Sequence, residues 1–269
     1  MIVTALSPDQ WRGRNLGTRV IGYDERDAIL YALAVGARAA DLDLVFEDRL
    51  RVLPTFALTL AQWAPDALGA LGAFDTQTTL HGSQSLDAVS ALPRSGEIAM
   101  SARVGEVWDK GRAAVFEVVV ESDYFVATWS LFAPGAGGFG GDRGPSAPSA
   151  TEQEPAMVGT LTTGGDQAAL YRLTGDRHHI HIDPAAAERI GQPRPILHGL
   201  CTLAAATLPL ADMLGAHPAD VTSLFGRFAA PVFPGDSAHI RAWGQASNCR
   251  FDVTTGGGAV LSGGRAVFA

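Results

Sequence analysis

The stretch "ILYALAVGAR" at residues 29–38 returns, altered but in order, as "ALYRLTGDRHH" at residues 169–179. Leu30, Tyr31 and Leu33 stand 140 positions before Leu170, Tyr171 and Leu173. Two further pairs keep nearly the same interval: Pro54 in "VLPTFALTLA" and Pro195 in "PRPILHGLCTLA" are 141 apart, as are Pro93 in "SALPRSGEI" and Pro234 in "PVFPGDSAHI". Ordered anchors at one spacing point to a duplicated domain. Between the copies, "PGAGGFGGDRGPSAPSA" at 134–150 holds six Gly and three Pro without a periodic apolar pattern, and reads as a flexible linker. The expected organisation is an N-terminal domain at 1–133, a Gly/Pro-rich linker at 134–150 and a C-terminal domain at 151–269.

Each copy carries a helix-like segment, a second helix candidate and then strand-like runs. In the first copy the runs are "TTLHGSQSL", "EIAMSARVGEVW", "AAVFEVVVES" and "YFVATWSLFA"; in the second they are "SLFGRFAAPVF", "SAHIRAWGQ", "RFDVTT" and "AVLSGGRAVFA". Short runs rich in Val, Phe, Thr and Ala, parted by Gly and Pro, suit an antiparallel sheet. A single long helix laid on a curved sheet buries the apolar faces of both, which gives an α+β fold with the helices on one face.

A chain of 269 residues with 47% hydrophobic and 18% charged residues can bury a full core. The start, "MIVTALSPDQWRGRN", has no basic region followed by a long apolar run, so the expectation is a cytoplasmic protein without membrane insertion. A formal charge of -8 argues against a nucleic-acid partner, because phosphate binding calls for a positive surface. Cys201 and Cys249 form neither a disulfide framework nor a zinc pattern, and read as inert packing thiols.

The polar chemistry is concentrated in the second copy, in "DRHHIHIDP" at 176–184 and "PRPILHGLCTLAAATL" at 193–208. In the aligned repeat Asp176 falls opposite Gly36, and His198 and Gly199 fall opposite Ala57 and Leu58. Groups needed only for folding would recur in both halves, so the asymmetry implies one working site beside a degenerate partner. Gly175 ends the first helix of this half, and Asp183 with Pro184 begins the next as N-cap and first residue. The loop between them can bring the Asp176 carboxylate and the His181 imidazole onto one water molecule and move protons near neutral pH. Gly199, at the start of a Leu/Ala-rich helix, offers a free main-chain N–H to a carbonyl oxygen that gains charge. A metal held by Asp176, His178, His179 and His181 is disfavoured, since the spacing is not helical and no thiolate lies nearby. By default His198 and Phe228 are packing residues, His81-Gly82 a strand kink and Lys110 a solvated charge.

The segment "YRLTGDRHHIHIDPAAAERIGQPRPILHGLCT" resembles the hydratase motif of the MaoC-like, type 2 (R-specific) enoyl-CoA hydratases. The first half is similar to the two-domain members of that family in "YDERDAILYALAVG", "VLPTFALTLA", "LHGSQSLDAVSALPRSG", "VWDKG" and "WSLFAPGAGGFGG". The resemblance implies a double hot-dog fold and reversible hydration of trans-2-enoyl-CoA to (3R)-3-hydroxyacyl-CoA, in fatty-acid or sterol side-chain metabolism. It implies Asp176 and His181 as the catalytic pair and Gly199 as thioester oxyanion donor. His81, Gly82, Lys110, His198 and Phe228 become substrate-binding positions. The substrate partner is an acyl-CoA, with no metal or redox cofactor, and a homodimer is compatible with the family. The chain departs from the motif where His178 and His179 replace Asn and Pro; His178 is an auxiliary candidate that could stand in as a donor. Two other readings remain: an acyl-CoA-binding protein with impaired catalysis, and a hot-dog thioesterase.

Overall fold

The structure, a computed structural model, describes residues 6–146 and 154–269. In the first half, strand β1 (Asn15–Tyr23) leads into helix α1 (Glu25–Ala34), a short helix α2 (Leu42–Val45) and then α3 (Ala57–Leu60) and α4 (Trp63–Ala70). Four strands follow: β2 (Leu80–Ala88), β3 (Gly96–Asp109), β4 (Ala113–Glu121) and β5 (Phe125–Pro134). The second half repeats this plan. Its elements are β6 (Met157–Thr162), α5 (Gln167–Tyr171), α6 (Pro184–Arg189), α7 (Gly199–Leu214), β7 (Val221–Phe228), β8 (Ser237–Gln245), β9 (Asn248–Thr255) and β10 (Gly258–Phe268).

The ten strands make one antiparallel sheet in the order β1-β3-β4-β5-β2-β7-β10-β9-β8-β6. Read inward from either edge, the order is the same five-strand pattern, so the duplication seen in the sequence is a pseudo-twofold of the fold. The halves join where β2 pairs with β7, from Ser83 opposite Arg227 to Asp87 opposite Ser223. Alternation sets which side of each strand is covered: in β5, Phe125, Ala127, Trp129, Leu131 and Ala133 are buried and the residues between them are less so. Helix α7, buried along most of its length, lies against the second half of the sheet, giving the double hot-dog arrangement. Tyr31 and Tyr171, equivalent by the repeat, meet between the halves with ring centroids 6.0 Å apart, and both are fully buried. No helix among the described residues is long and apolar enough to cross a membrane.

Three features differ from the sequence-based expectation. The edge strands β1 and β6 were not expected; both lie largely exposed at the ends of the sheet, where alternation is weak. In the first half the expected long helix is divided: a 3-10 turn at Pro54–Phe56 runs into α3, and the helix restarts at Trp63. Pro65 has no N–H for the carbonyl of Ala61, and the restart places it in a first turn, where a helix tolerates proline. The linker is the third. Asp109 accepts main-chain N–H bonds from Gly111 (2.8 Å), Gly138 (3.0 Å) and Gly140 (2.8 Å), which folds the chain after β5 back onto the first half. Gly138 and Gly140 have φ of 82° and 79°, a conformation that turns successive amides toward one anion. Residues 135–146 are therefore tied down rather than free, and residues 147–150 lie outside the described residues.

Candidate active site

The candidate site is built from the chain between α5 and α7. After α5, a 3-10 turn at Arg172–Thr174 ends at Gly175, with φ of 154°, where a side chain would approach the Thr59 carbonyl of the first half at 3.5 Å. Asp176 follows, and its Oδ1 accepts the main-chain N–H of His178 at 3.0 Å. A second turn at His179–His181 then delivers His181 inward, and it is only 8% exposed. Asp183 caps α6 by accepting the Ala185 N–H at 2.9 Å, with Pro184 at the first position, as the sequence indicated. An extended stretch leads from there to His198, the N-cap of α7.

Three side chains converge. One ligand-type atom each from Asp176, His181 and His198 lies within 4.8 Å of the others. Two hydrogen bonds of ordinary length through one water span up to about 5.6 Å, so the Asp176 carboxylate and the His181 ring are close enough to share a water molecule. The Nδ1 of His181 lies 2.8 Å from the Ile196 carbonyl, an acceptor only, so Nδ1 carries the proton and donates while Nε2 keeps a lone pair. Burial lowers the His181 pKa, against the opposing pull of the Asp176 charge and the Ile196 carbonyl, which favours the neutral ring.

His198 is 1% exposed and faces away from solvent. Its Nε2 donates to the main-chain carbonyl of Asp176 at 3.1 Å, and its ring stacks on His181 with centroids 3.7 Å apart at 25°. Burial first, and then the neighbouring His181, lower its pKa to about 3. Stacked rings send their lone pairs along nearly parallel planes instead of toward one point, a poor arrangement for both imidazoles to ligate the same tetrahedral ion.

Gly199 is the first residue of α7, so its N–H has no carbonyl four residues back within the helix and points out of the helix end. A side chain here would meet the Phe228 ring at 3.0 Å. Phe228 also packs on His81, with ring centroids 4.7 Å apart. Gly82 sits in a bulge of β2, between the pairs His81–Leu131 and Ser83–Ser130, and there the His81 Nε2 bonds the Ser83 carbonyl at 3.1 Å. Burial lowers the His81 pKa to about 4, with the Ser83 carbonyl opposing. Gly199, Phe228 and His81 thus form one continuous wall across the seam between the halves.

At three of the expected positions the side chain is engaged elsewhere in the structure. The His178 ring is exposed and its Nδ1 faces the Ile180 N–H at 3.4 Å, so what reaches Asp176 is the His178 main chain and not its imidazole. The Lys110 ammonium donates to the main-chain carbonyls of Arg143 and of Pro145, the latter at 3.1 Å, and so holds the segment after β5. His198, expected among the substrate contacts, is enclosed by Asp176, His181 and the Tyr171 ring at 4.7 Å.

Sequence reasoning passed over Asp66 on α4. Although Asp66 is exposed, partial desolvation and then the Asp176 charge raise its carboxyl pKa, with Gln62, His178 and Arg19 acting the other way. Asp66 in the first half is thus close enough to the Asp176 loop for the two charges to interact; the signal was an Asp inside the apolar run "WAPDALGAL". A cavity of about 550 Å³ elsewhere is lined by Gly36, Leu44, Leu161, Ala205 and Leu208, among others. Neither Asp176 nor His181 lines it. Gly36 is the residue aligned with Asp176, so this cavity borders the degenerate counterpart of the candidate site.

Residues 146–261 match the MaoC like domain family, and residues 22–127 match the MFE-2 hydratase 2 N-terminal domain family. The 3-hydroxyacyl-thioester dehydratase Y of Mycobacterium tuberculosis is 38% identical over 238 residues, covering 82% of this chain and 82% of that protein. The enoyl-CoA hydratase ChsH3 of the same organism is 34% identical over 248 residues, covering 86% and 87%. The crystal structure of a MaoC-like dehydratase from Phytophthora capsici superposes with a TM-score of 0.86 at 25% identity, covering 98% of both chains. With both halves matched in order and the likeness running through most of each relative, the chain belongs to the MaoC-like, hydratase 2 family.

Proposed function

We propose that this chain is a hydro-lyase that adds water reversibly across the double bond of a trans-2-enoyl-CoA to give a (3R)-3-hydroxyacyl-CoA, with Asp176 and His181 as the catalytic pair. The observation that carries the reading is their convergence within 4.8 Å, with His181 fixed by the Ile196 carbonyl so that a lone pair remains available. In the forward direction the water oxygen bonds to C3 as the pair takes up one of its protons, and a proton is returned to C2. Between these events negative charge gathers on the thioester oxygen, and the free N–H of Gly199 is the donor suited to it. Phe228 and His81 would wall the thioester on the far side. Water is the only cosubstrate this scheme uses. The C-terminal half supplies the chemistry, while the N-terminal half, with Gly36 in place of the acid, closes the site from α3 and α4. The relatives named as an enoyl-CoA hydratase and a 3-hydroxyacyl-thioester dehydratase support the two directions of this reaction.

The test is a panel of trans-2-enoyl-CoA substrates from crotonyl-CoA to long and bulky chains, followed by loss of the absorbance of the conjugated thioester, with chiral analysis of the product. Turnover to the (3R) alcohol without thiol release is expected. Release of free thiol would mark a thioesterase, and tight binding without turnover an acyl-CoA-binding protein.

A further inference from the structure

A row of packed rings runs from the seam between the halves into the loop that carries the proposed pair: Tyr31 lies tilted on Tyr171 at 6.0 Å, Tyr171 tilted on His198 at 4.7 Å, and His198 stacks on His181 at 3.7 Å. His198 stands where this row meets the catalytic pair. As the N-cap of α7 its side chain caps no amide, and its Nδ1 is buried without a hydrogen-bond partner. Both facts count against a role in stability alone, since an N-cap usually accepts a helix N–H and a buried acceptor left bare is unfavourable. What the ring does touch is specific. Its Nε2–H holds the main-chain carbonyl of Asp176, its face sets the plane of His181, and the next residue along the chain is Gly199.

We propose that His198 is a positioning residue for hydration: through its Nε2–H bond to Asp176 and its stack on His181 it fixes the two water-holding groups relative to the Gly199 amide. The proposal rests on the hydratase reading above. The acid, the imidazole and the oxyanion donor come from a loop, a 3-10 turn and a helix, and one buried ring is in contact or covalent continuity with all three. His198 therefore does not need to meet the substrate. Its effect belongs in kcat, because misplacing reacting groups by about 1 Å can cost on the order of 10²-fold in rate.

Two substitutions separate the ring's two contacts. His198→Phe keeps a flat ring against His181 and removes the donor to Asp176; His198→Gln keeps an N–H that can reach that carbonyl and removes the ring. Steady-state hydration, melting temperatures and long-range ¹H–¹⁵N spectra of the imidazoles are measured on the full chain. The expected result for the Phe variant is a kcat lower by roughly 10²-fold with KM changed by no more than about threefold, while the Gln variant recovers about tenfold of that loss. In the wild type the spectra should show a neutral His198 with its proton on Nε2 from about pH 5 to pH 8. A raised KM with kcat intact would make His198 a substrate contact and overturn the proposal. So would a Phe variant as active as the wild type, a Gln variant no better than Phe at equal melting temperature, or a proton on Nδ1. A wild type that hydrates none of the enoyl-CoA panel would defeat the hydratase reading instead; the tautomer is read without substrate, so the two failures are distinguishable.

Discussion

Replacing Gly199 by Ala tests the wall formed by α7, Phe228 and His81. The new Cβ would stand 3.0 Å from both Cδ1 and Cε1 of Phe228 and 3.5 Å from its Cγ. Carbon atoms rest at about 3.5–4.0 Å, so the ring has to withdraw by a few tenths of an ångström. Its retreat is restricted: Phe228 is paired with Leu261 in the sheet, and the His81 ring lies 4.7 Å away. Overpacking of this kind costs about 1–3 kcal/mol. At roughly 2–4 °C per kcal/mol for a domain approaching this size, the melting temperature should fall by about 2–12 °C. The N–H of residue 199 survives the change, so any loss of turnover reports displaced geometry and not a missing donor. Phe228→Leu removes ring atoms that obstruct the new methyl group. The double variant should therefore be more stable than the sum of the single effects, by about 1 kcal/mol or more. Thermal unfolding followed by circular dichroism, paired with initial hydration rates, measures both. If Gly199→Ala melts and turns over like the wild type, or if the two substitutions simply add, the close contact is not as described.

Burial lowers the pKa of His81 to about 4 and of His198 to about 3, and lowers that of His181 as well. An unfolded chain protonates these rings near pH 6.5, so below that value it binds more protons than the folded chain and stability falls with pH. Urea midpoints should hold above about pH 7 and decline from about pH 6.5 toward pH 4; a flat profile down to pH 5 would contradict this. The Gly138 amide first, and then those of Gly111, Gly140 and Gly141, hold the Asp109 carboxyl below the usual carboxylate range, so the tether is intact at neutral pH and is lost only as pH falls through that lowered value. Hydrogen exchange at Gly138 and Gly140 near neutral pH should be slow in the wild type and faster in Asp109→Ala, and equal rates would refute the tether. Cys201 and Cys249 are buried, and burial raises both thiol pKa values. A thiol-reactive disulfide reagent should label neither in the folded protein and both after unfolding; prompt labelling of the native chain would contradict their inertness.

The duplication was legible because the anchors that reveal it are packing residues required by both halves, Tyr31 and Tyr171 above all. The inner strands were legible for a related reason: β5 alternates strictly between buried and more open positions, and β3 does so from Ile98 to Val104. Edge strands have no such constraint. Val20 in β1 and Val158 in β6 are 62% and 64% exposed, and their runs carry little pattern to read. The broken helix of the first half was hidden because its apolar residues continue straight through the break at Ala61–Gln62. At the site, local spacing sufficed for the convergence of Asp176 with His181 and for the Asp183 cap. Contacts set by side-chain orientation did not show: the His178 ring turned to its own loop, the Lys110 ammonium held by carbonyls beyond β5, and His198 enclosed behind the pair. Asp66 was out of reach for another reason, since only the fold brings α4 to a loop more than a hundred residues later.

The most direct test of the account is the rate of enoyl-CoA hydration by Asp176→Asn, by His181→Gln and by the variant carrying both. If one water is held jointly, each single change should lower kcat by about 10²- to 10⁴-fold, and the double should fall no further than the more damaged single, because the pair acts as a unit. Either single variant working at the wild-type rate, or losses that multiply in the double, would contradict a shared water.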